Sequence, residues 1–336
     1  MQKIEKIEIS AKTIVFTVLF LLSLQLVWLL RDLIFSLFIA FIIMGALKPF
    51  VNFLSVKKVP KFISVFLVYI VFVGVFLELL NIIFPPLINE SAALIKNFPK
   101  IMESLSLKRF QFIDLNPVIQ FLPNITGQFF DLAKGVFSNT VLVITTLFFG
   151  FYFLLEHELV KKTIIGFFDK KKAERVDFII TKVEKQMSHW FWGELTLMVV
   201  VGVLTFIGLN LIGIRYALPL AVLAGLLEAV PNIGPVISAI PMVLIGFSQN
   251  NFSGFAALAL AFIVQQAENN LIVPLVMKKV VGVNPIITLI ALIVGGRLAG
   301  IVGVFLAIPV TLFVGTILGE IAQKQPEKVE KEGFLR

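Results

Sequence analysis

Cysteine is absent from the chain, which excludes disulfides and thiolate chemistry. The only two histidines, His157 and His189, lie too far apart to match a metal-ligand spacing. There is no glycine-rich phosphate loop to support ATP-driven work, and no catalytic constellation that would make the chain an enzyme or call for a cofactor. Charge is also scarce, at 15% of 336 residues where a soluble domain carries about 25%. What fills the chain is apolar: 58% of residues are hydrophobic and the mean hydropathy is +0.99. Such a chain cannot cover itself with polar surface in water, so the lipid bilayer is its solvent and its first partner. The net charge of +8 does not argue for nucleic acid. The positive residues flank hydrophobic spans, where Lys and Arg face the cytoplasm and anionic headgroups.

A spanning helix needs about 20 mostly apolar residues. The stretches 13–30, 33–54, 62–84, 138–156, 195–214 and 254–272 qualify. With two interrupted segments described below, they make about eight hydrophobic units in an all-α integral membrane protein. The expected organisation is an N-terminal helical hairpin (1–61), turning at Arg31-Asp32, then two spans (62–157) flanking an external amphipathic segment (86–137) broken at Pro99, Pro117 and Pro123. A basic cytoplasmic amphipathic segment (158–193), a transport core (194–320) and a charged cytoplasmic tail (321–336) follow. Lysines near residues 3–12, 48–61 and 158–185 and in the tail put both termini in the cytoplasm of a multi-pass cell (inner) membrane protein.

The interrupted segments, 218–247 and 285–314, read as one design written twice. Each opens near a proline, Pro219 or Pro285, and runs about a dozen apolar residues to a break. The first break is Pro231-Asn232-Ile233-Gly234-Pro235; the second is Gly295-Gly296-Arg297-Leu298-Ala299-Gly300. Both then carry Ala-Ile-Pro, ending at Pro241 and Pro309. Paired broken helices point to the substrate site of a secondary transporter, because they expose helix termini and backbone groups within the membrane. Residues 217–230 would make a helix of about 21 Å, too short for a core of roughly 30 Å. Joined straight, the two halves would reach about 48 Å, which is too long. Lys278 and Lys279 decide between a kinked span and a re-entrant hairpin, because they lie in the cytoplasm only if 217–248 is a hairpin. The expectation is therefore two re-entrant hairpins of opposite direction, an inverted repeat.

The motif Pro231-Asn232-Ile233-Gly234-Pro235 with Pro241 resembles the signature of the AI-2E family of prokaryotic membrane transporters. So do Glu268-Asn269-Asn270-Leu271-Ile272-Val273-Pro274, Gly282-Val283-Asn284-Pro285, and the run from Gly295 through Ala307-Ile308-Pro309. The resemblance is dense from about 190 to 315 and departs at Arg297, where an acidic or neutral residue is expected. It implies a multi-spanning exporter or exchanger that assembles as a homo-oligomer, in the reading of a pentamer. Members are linked to export of the quorum-sensing signal autoinducer-2 and, in other branches, to sodium/proton antiport.

Polar groups inside apolar spans are costly unless they face protein or water. Gln265, Glu268 and Asn269 fall on one helical face at i, i+3 and i+4, with Gln266 and Asn270 extending it. That stripe suits binding a cation, a proton or a hydroxylated small polar solute, and it would serve equally as an interhelical hydrogen-bond cluster. Glu228 lies one turn before Asn232, so carboxylate, amide and freed carbonyls make a candidate Na⁺ or H⁺ site at the first break. A bound Na⁺ at Glu228 or Glu268 is the sole metal this pattern suggests. Pro231, Pro235, Gly234, Gly295, Gly296 and Gly300 are expected to shape the breaks rather than touch solute. Arg297 fits snorkelling, helix capping or anion binding equally well. Glu194, beside Trp190 and Trp192, reads as an interfacial carboxylate in an aromatic belt.

Overall fold

A computed structural model of the chain describes residues 11–108, 140–231, 233–278 and 284–322. Asn232, Lys279 and the breaks expected at Pro117 and Pro123 lie outside the described residues, as does the charged tail from 323 onward. The described residues are helical, without a strand among them. In chain order they form α1 (Ala11–Leu29), α2 (Arg31–Val56), α3 (Lys61–Lys108), α4 (Thr140–Leu155), α5 (His157–Gly166) and α6 (Lys170–Ile212). There follow α7 (Ala217–Leu227), α8 (Ile233–Gln249), α9 (Asn251–Ala267), a π-helical turn (Glu268–Ile272), α10 (Val273–Val276) and α11 (Pro285–Ala322). Among the described residues six helices are long and apolar enough to cross a membrane, or seven when the α4–α5 pair, bent by 74°, is taken as one. The chain is therefore an all-α, multi-pass membrane protein.

Several elements differ from the sequence expectation. The helix begun by the third span does not stop at residue 84 or break at Pro99; α3 continues unbroken to Lys108. At 1.5 Å per residue its 48 residues reach about 72 Å, far beyond the bilayer core. Its distal half is held by tertiary contact instead: Leu94 joins the core formed by α7, α8 and α9. At Arg31-Asp32 the chain does not reverse into a hairpin. Hydrogen bonds from Leu30 N–H to the Leu26 oxygen and from Ile34 N–H to the Leu30 oxygen, 2.9 Å each, carry the helical pattern through the junction. The apolar length of α1 is wholly unburied within the protomer. One helix, α6, also crosses the boundary drawn at 193/194, running 43 residues from a basic half into an apolar half.

α6 is the axis around which the rest assembles. Its first half packs with α2 and α11 around Ile42, Val183, Met187, Leu306 and Leu312. Its second half packs with α7, α8 and α9 around Val201, Leu209, Leu220, Ile245 and Ala257. Small residues permit the crossings, as expected where van der Waals fit holds helices together. A Cβ on Gly225 would lie 2.6 Å from the Met198 oxygen and 3.2 Å from the Gly202 Cα. One on Gly45 would lie 3.3 Å from the Glu184 oxygen.

Both interrupted segments fold back on themselves. In the first, α7 and α8 lie side by side, with Leu220 and Ala224 against Met242 and Ile245 in one core. The far ends also meet. With its oxygen and nitrogen assigned from the hydrogen-bond network, the Gln249 amide accepts from Arg215 N–H at 2.8 Å and donates to the Gly213 oxygen at 3.2 Å. In the second, Ala299 (φ −140°, ψ 20°) and Gly300 (φ 56°, ψ −136°) reverse the chain within α11. Gly295 and Gly303 then approach so closely that a Cβ on either would overlap the other's carbonyl. Eight residues apart on a straight helix they would be about 12 Å distant. The second arm, Val302–Ala322, is long and apolar enough to cross a membrane, whereas Ala217–Leu227, Ile233–Gln249 and Ile286–Gly300 are not.

Candidate functional site

Three carboxylates converge at the tip of the first hairpin. Glu228 ends α7, Glu268 opens the π-helical turn and Glu194 lies on α6; they are 3%, 6% and 7% exposed. The tip is tight because Gly234 sits against the end of α7, where any Cβ would overlap the Leu227 carbonyl. Its turn is closed by Ile233 N–H to the Pro231 oxygen and Gly234 N–H to the Val230 oxygen, both 2.8 Å. Pro231, Gly234 and Pro235 therefore shape the break that carries Glu228, as their conformational preferences suggest.

The carboxyl groups of Glu228 and Glu268 are hydrogen-bonded to each other. Gln265 Nε2 donates to the second Glu268 oxygen, Oε2, at 3.0 Å. Glu194 lies within electrostatic reach of both other carboxyls. Among the described residues, Glu194 Oε1 and Glu228 Oε2 are buried with no hydrogen-bond partner. Three buried carboxyl groups thus sit together, and two of them have an oxygen that meets no donor. The described residues hold no group of three acidic or histidine side chains with the geometry of a multidentate metal centre.

The polar stripe expected on one face of α9 is divided. Gln265 and Glu268 turn inward, while Gln266, Asn269 and Asn270 are exposed on the outer side. Asn270 Nδ2 donates to the Gln266 backbone oxygen at 3.0 Å. Adjacent residues lie about 100° apart on a helix, so Asn269 points away from Glu268 while Gln265, three residues earlier, stays beside it. Pro274 cannot donate to the carbonyl of residue 270, and in a regular helix its ring would clash there. The chain widens there to a π-helical turn, sealed by Val273 N–H on the Glu268 oxygen. Of the two break clusters, only the first belongs to this site. Gly295, Gly296 and Gly300 form the second hairpin's own reversal, which packs on α2 and the basic half of α6. Arg297 is exposed there.

Glu194 is the residue sequence reasoning placed elsewhere. Its neighbour Trp192, still partly exposed, donates Nε1 to the Ala46 oxygen at 3.0 Å across the α2–α6 contact. The signal available was that Glu194 is the acidic residue opening the apolar run 195–214. From Ile212 to Glu194, and from Asn251 to Glu268, the helical rise is about 25–27 Å, so the cluster lies far from the end where α6 meets α7.

A second polar network went unnoticed in the sequence. Lys48 Nζ donates to Glu184 Oε2 at 2.7 Å, and His157 Nε2 lies 2.7 Å from Glu184 Oε1. With that ring nitrogen donating to the carboxylate, the 2.8 Å approach of Lys48 Nζ to it is proximity rather than a hydrogen bond. The network ties α2, α5 and α6 together. Further along α6, Lys182 pairs with Glu320, and Arg175 Nη2 donates to the Ile321 oxygen at 3.1 Å, fixing the end of α11.

Residues 14–323 match the family described as AI-2E family transporter, which covers nearly the whole chain. Two relatives in Bacillus subtilis (strain 168) each carry the name "Putative transport protein". YueF is 27% identical over 303 residues, covering 84% of this chain and 82% of its own. YrrI is 27% identical over 295 residues, covering 83% and 82%. "AI-2 transport protein TqsA" of Escherichia coli (strain K12) is 27% identical over 217 residues, covering 64% of this chain and 60% of its own.

Proposed function

The chain belongs to the AI-2E transporter family, and we propose that it is an ion-coupled secondary transporter in which Glu194, Glu228 and Glu268 form the coupling site. The observation that carries this reading is the buried Glu228–Glu268 contact, with an unsatisfied Glu194 oxygen beside it. Buried ionisable groups in a membrane protein are costly and mark ion or proton pathways by default. Na⁺ or H⁺ would bind at Glu228 or Glu268, helped by Gln265 and by backbone carbonyls freed at the break, where Asn232 stands in sequence. A small polar solute is the cargo. Autoinducer-2 is the named cargo of the relative TqsA, and export of that signal is the leading assignment here.

The all-oxygen character of the site favours a second reading, exchange of Na⁺ or Li⁺ for protons without organic solute. Asn269 and Asn270, exposed on an otherwise apolar helix, support a homo-oligomer in which a neighbouring subunit covers them; five subunits is the number the family resemblance implies. Charge placement puts both termini on the cytoplasmic side of the inner membrane, with the two hairpins entering from opposite faces.

The test is flux in proteoliposomes containing the purified full chain, with imposed Na⁺ and proton gradients and a panel of polar solutes. Wild type is expected to show saturable, gradient-dependent transport, and Glu268→Gln to lose on the order of a hundredfold, the scale of a removed proton-transfer group. Collapse of a pH gradient on adding Na⁺ alone selects the antiporter. Unsaturable conductance indicates a channel, and unchanged flux in Glu268→Gln removes the carboxylate from coupling.

A further inference from the structure

At the opposite end of the first hairpin, about 25 Å from the carboxylates, lies a cavity of about 580 Å³ between α3, the α6–α7 turn and the end of α8. Its size falls within the usual range for small-molecule sites. Its lining includes Lys100, Arg215, Tyr216, Ser248 and Gln249 and, among the described residues that line it, no carboxylate. Among the described residues no ion pair joins Lys100 or Arg215 to an acid. Two exposed cations thus line one concave space, and their summed field favours entry of an anion.

The walls are held in place. Gly213 closes α6 in the left-handed conformation (φ 76°), with Ile214 N–H bonded back to the Leu209 oxygen at 2.9 Å. Tyr216 has φ 61° and ψ 35°, a left-handed conformation rarely adopted by a bulky residue. It is retained by partners on two other elements. Asn97 Nδ2 donates to the Tyr216 hydroxyl at 2.9 Å, and Gln249 secures the backbone of Arg215. Because the Tyr216 oxygen accepts from Asn97, its own proton is available to a ligand. Ser248 spends its proton on the Ile245 oxygen at 2.7 Å. The donors left over are an ammonium, a guanidinium and a phenol, which suit an oxyanion with several acceptor oxygens. The positive end of α7, whose first residue follows Tyr216 and has no capping side chain, adds to the same field.

We propose that this cavity binds a phosphate group, with Arg215 in bidentate contact and Lys100 and Tyr216 completing the shell. The chemistry is common to inorganic phosphate in solution and to the phosphodiester of an anionic lipid headgroup, and the experiment separates them. The full chain is placed in nanodiscs of neutral phosphatidylcholine for titration with inorganic phosphate by calorimetry. In parallel, retention of phosphatidylglycerol is read by native mass spectrometry. Arg215→Gln and Lys100→Gln are compared with Arg297→Gln, which removes the same charge from an exposed site elsewhere.

Saturable phosphate binding that weakens about tenfold in each cavity variant, but not in Arg297→Gln, supports a soluble ligand. Retention of phosphatidylglycerol lost in the cavity variants alone, without phosphate binding, supports the lipid. The proposal is overturned if neither ligand distinguishes the cavity variants from wild type, or if Arg297→Gln has the same effect as they do. Should Arg215→Gln fail to elute as a folded species, Lys100→Gln decides, because Lys100 lies on α3 outside the hairpin turn.

Discussion

The two hairpins share a sequence plan and reach different ends. Each has an apolar arm, a break and the Ala-Ile-Pro tripeptide, whose proline is buried in both copies. The first has arms of 11 and 17 residues, too short to cross a membrane, and its tip is enclosed by α6 and the π-helical turn. That tip holds a buried carboxylate. The second has one short arm and one of 21 residues, long enough to cross; its tip carries the exposed Arg297 and places no carboxylate beside Glu228. A broken helix therefore does not by itself gather buried charge. What gathers it is an ionisable side chain at the break together with neighbours that enclose it.

The sharpest way to break this comparison is to widen the first tip. Gly234→Ala puts a methyl group into the Leu227 carbonyl, a backbone atom that cannot swing aside. A cost of about 3 kcal/mol or more is expected, the range of overpacking with backbone displacement. Thermal unfolding in detergent should show a large loss of melting temperature, and flux should vanish with it. A variant that melts like wild type would mean that the tip is not closed in the functional state.

The second hairpin is expected to fail from its support rather than from its tip. Its long arm lies on the basic half of α6, which the Lys48–Glu184–His157 network fixes to α2 and α5. Glu184→Gln removes the charge that compensates Lys48 within a buried network, and should cost about 2–3 kcal/mol. Hydrogen exchange should quicken along residues 302–322 while 217–249 stays protected. Equal loss of protection in both hairpins would show that α6 transmits the damage along its whole length, and that the two regions form one cooperative unit.

Within the second tip, Gly300→Ala is the milder change. Its φ of 56° lies in the left-handed region, where an L side chain costs about 1–2 kcal/mol, but its Cβ would meet nothing within 4 Å. A small drop in melting temperature with flux largely retained is the expected result. Loss of flux at intact stability would make the second reversal a moving part and erase the contrast with the first.

The contrast also explains what could be read from sequence. Long apolar runs gave six spans, because a bilayer of fixed thickness leaves helices little choice of length. The interrupted segments were legible as bends from the same arithmetic. The choice of hairpins over kinked spans rested on Lys278 and Lys279, and the spanning length of Val302–Ala322 was not foreseen. Glu228 and Glu268 were legible because charge at depth is conspicuous. Glu194 was not, because proximity to Trp190 and Trp192 is also what an interface looks like, and only the fold brings its carboxyl toward Glu268. Asn269 and Asn270 were misplaced because Gln265 and Glu268 form the inward edge of the stripe, and the next two residues turn outward. The unbroken α3 escaped for the opposite reason. Pro99 read as a break, yet long-range contacts through Leu94 and Asn97 hold the helix past it.

Arg297 gives the smallest expected effect and the most direct comparison of the two tips. It occupies the second break, as Asn232 occupies the first, and it departs from the residue type the family resemblance leads one to expect. Its side chain is exposed, and among the described residues no ion pair holds it. An exposed side chain away from any buried network typically changes stability by no more than about 0.5 kcal/mol when replaced. Arg297→Gln should therefore leave melting temperature and flux near wild type, with the ion dependence of transport unaltered. If flux falls sharply while the fold survives, the charge at the second tip acts in transport. The second break would then be a site in its own right, cationic where the first is acidic, and the two hairpins would bind solutes of opposite sign at their tips.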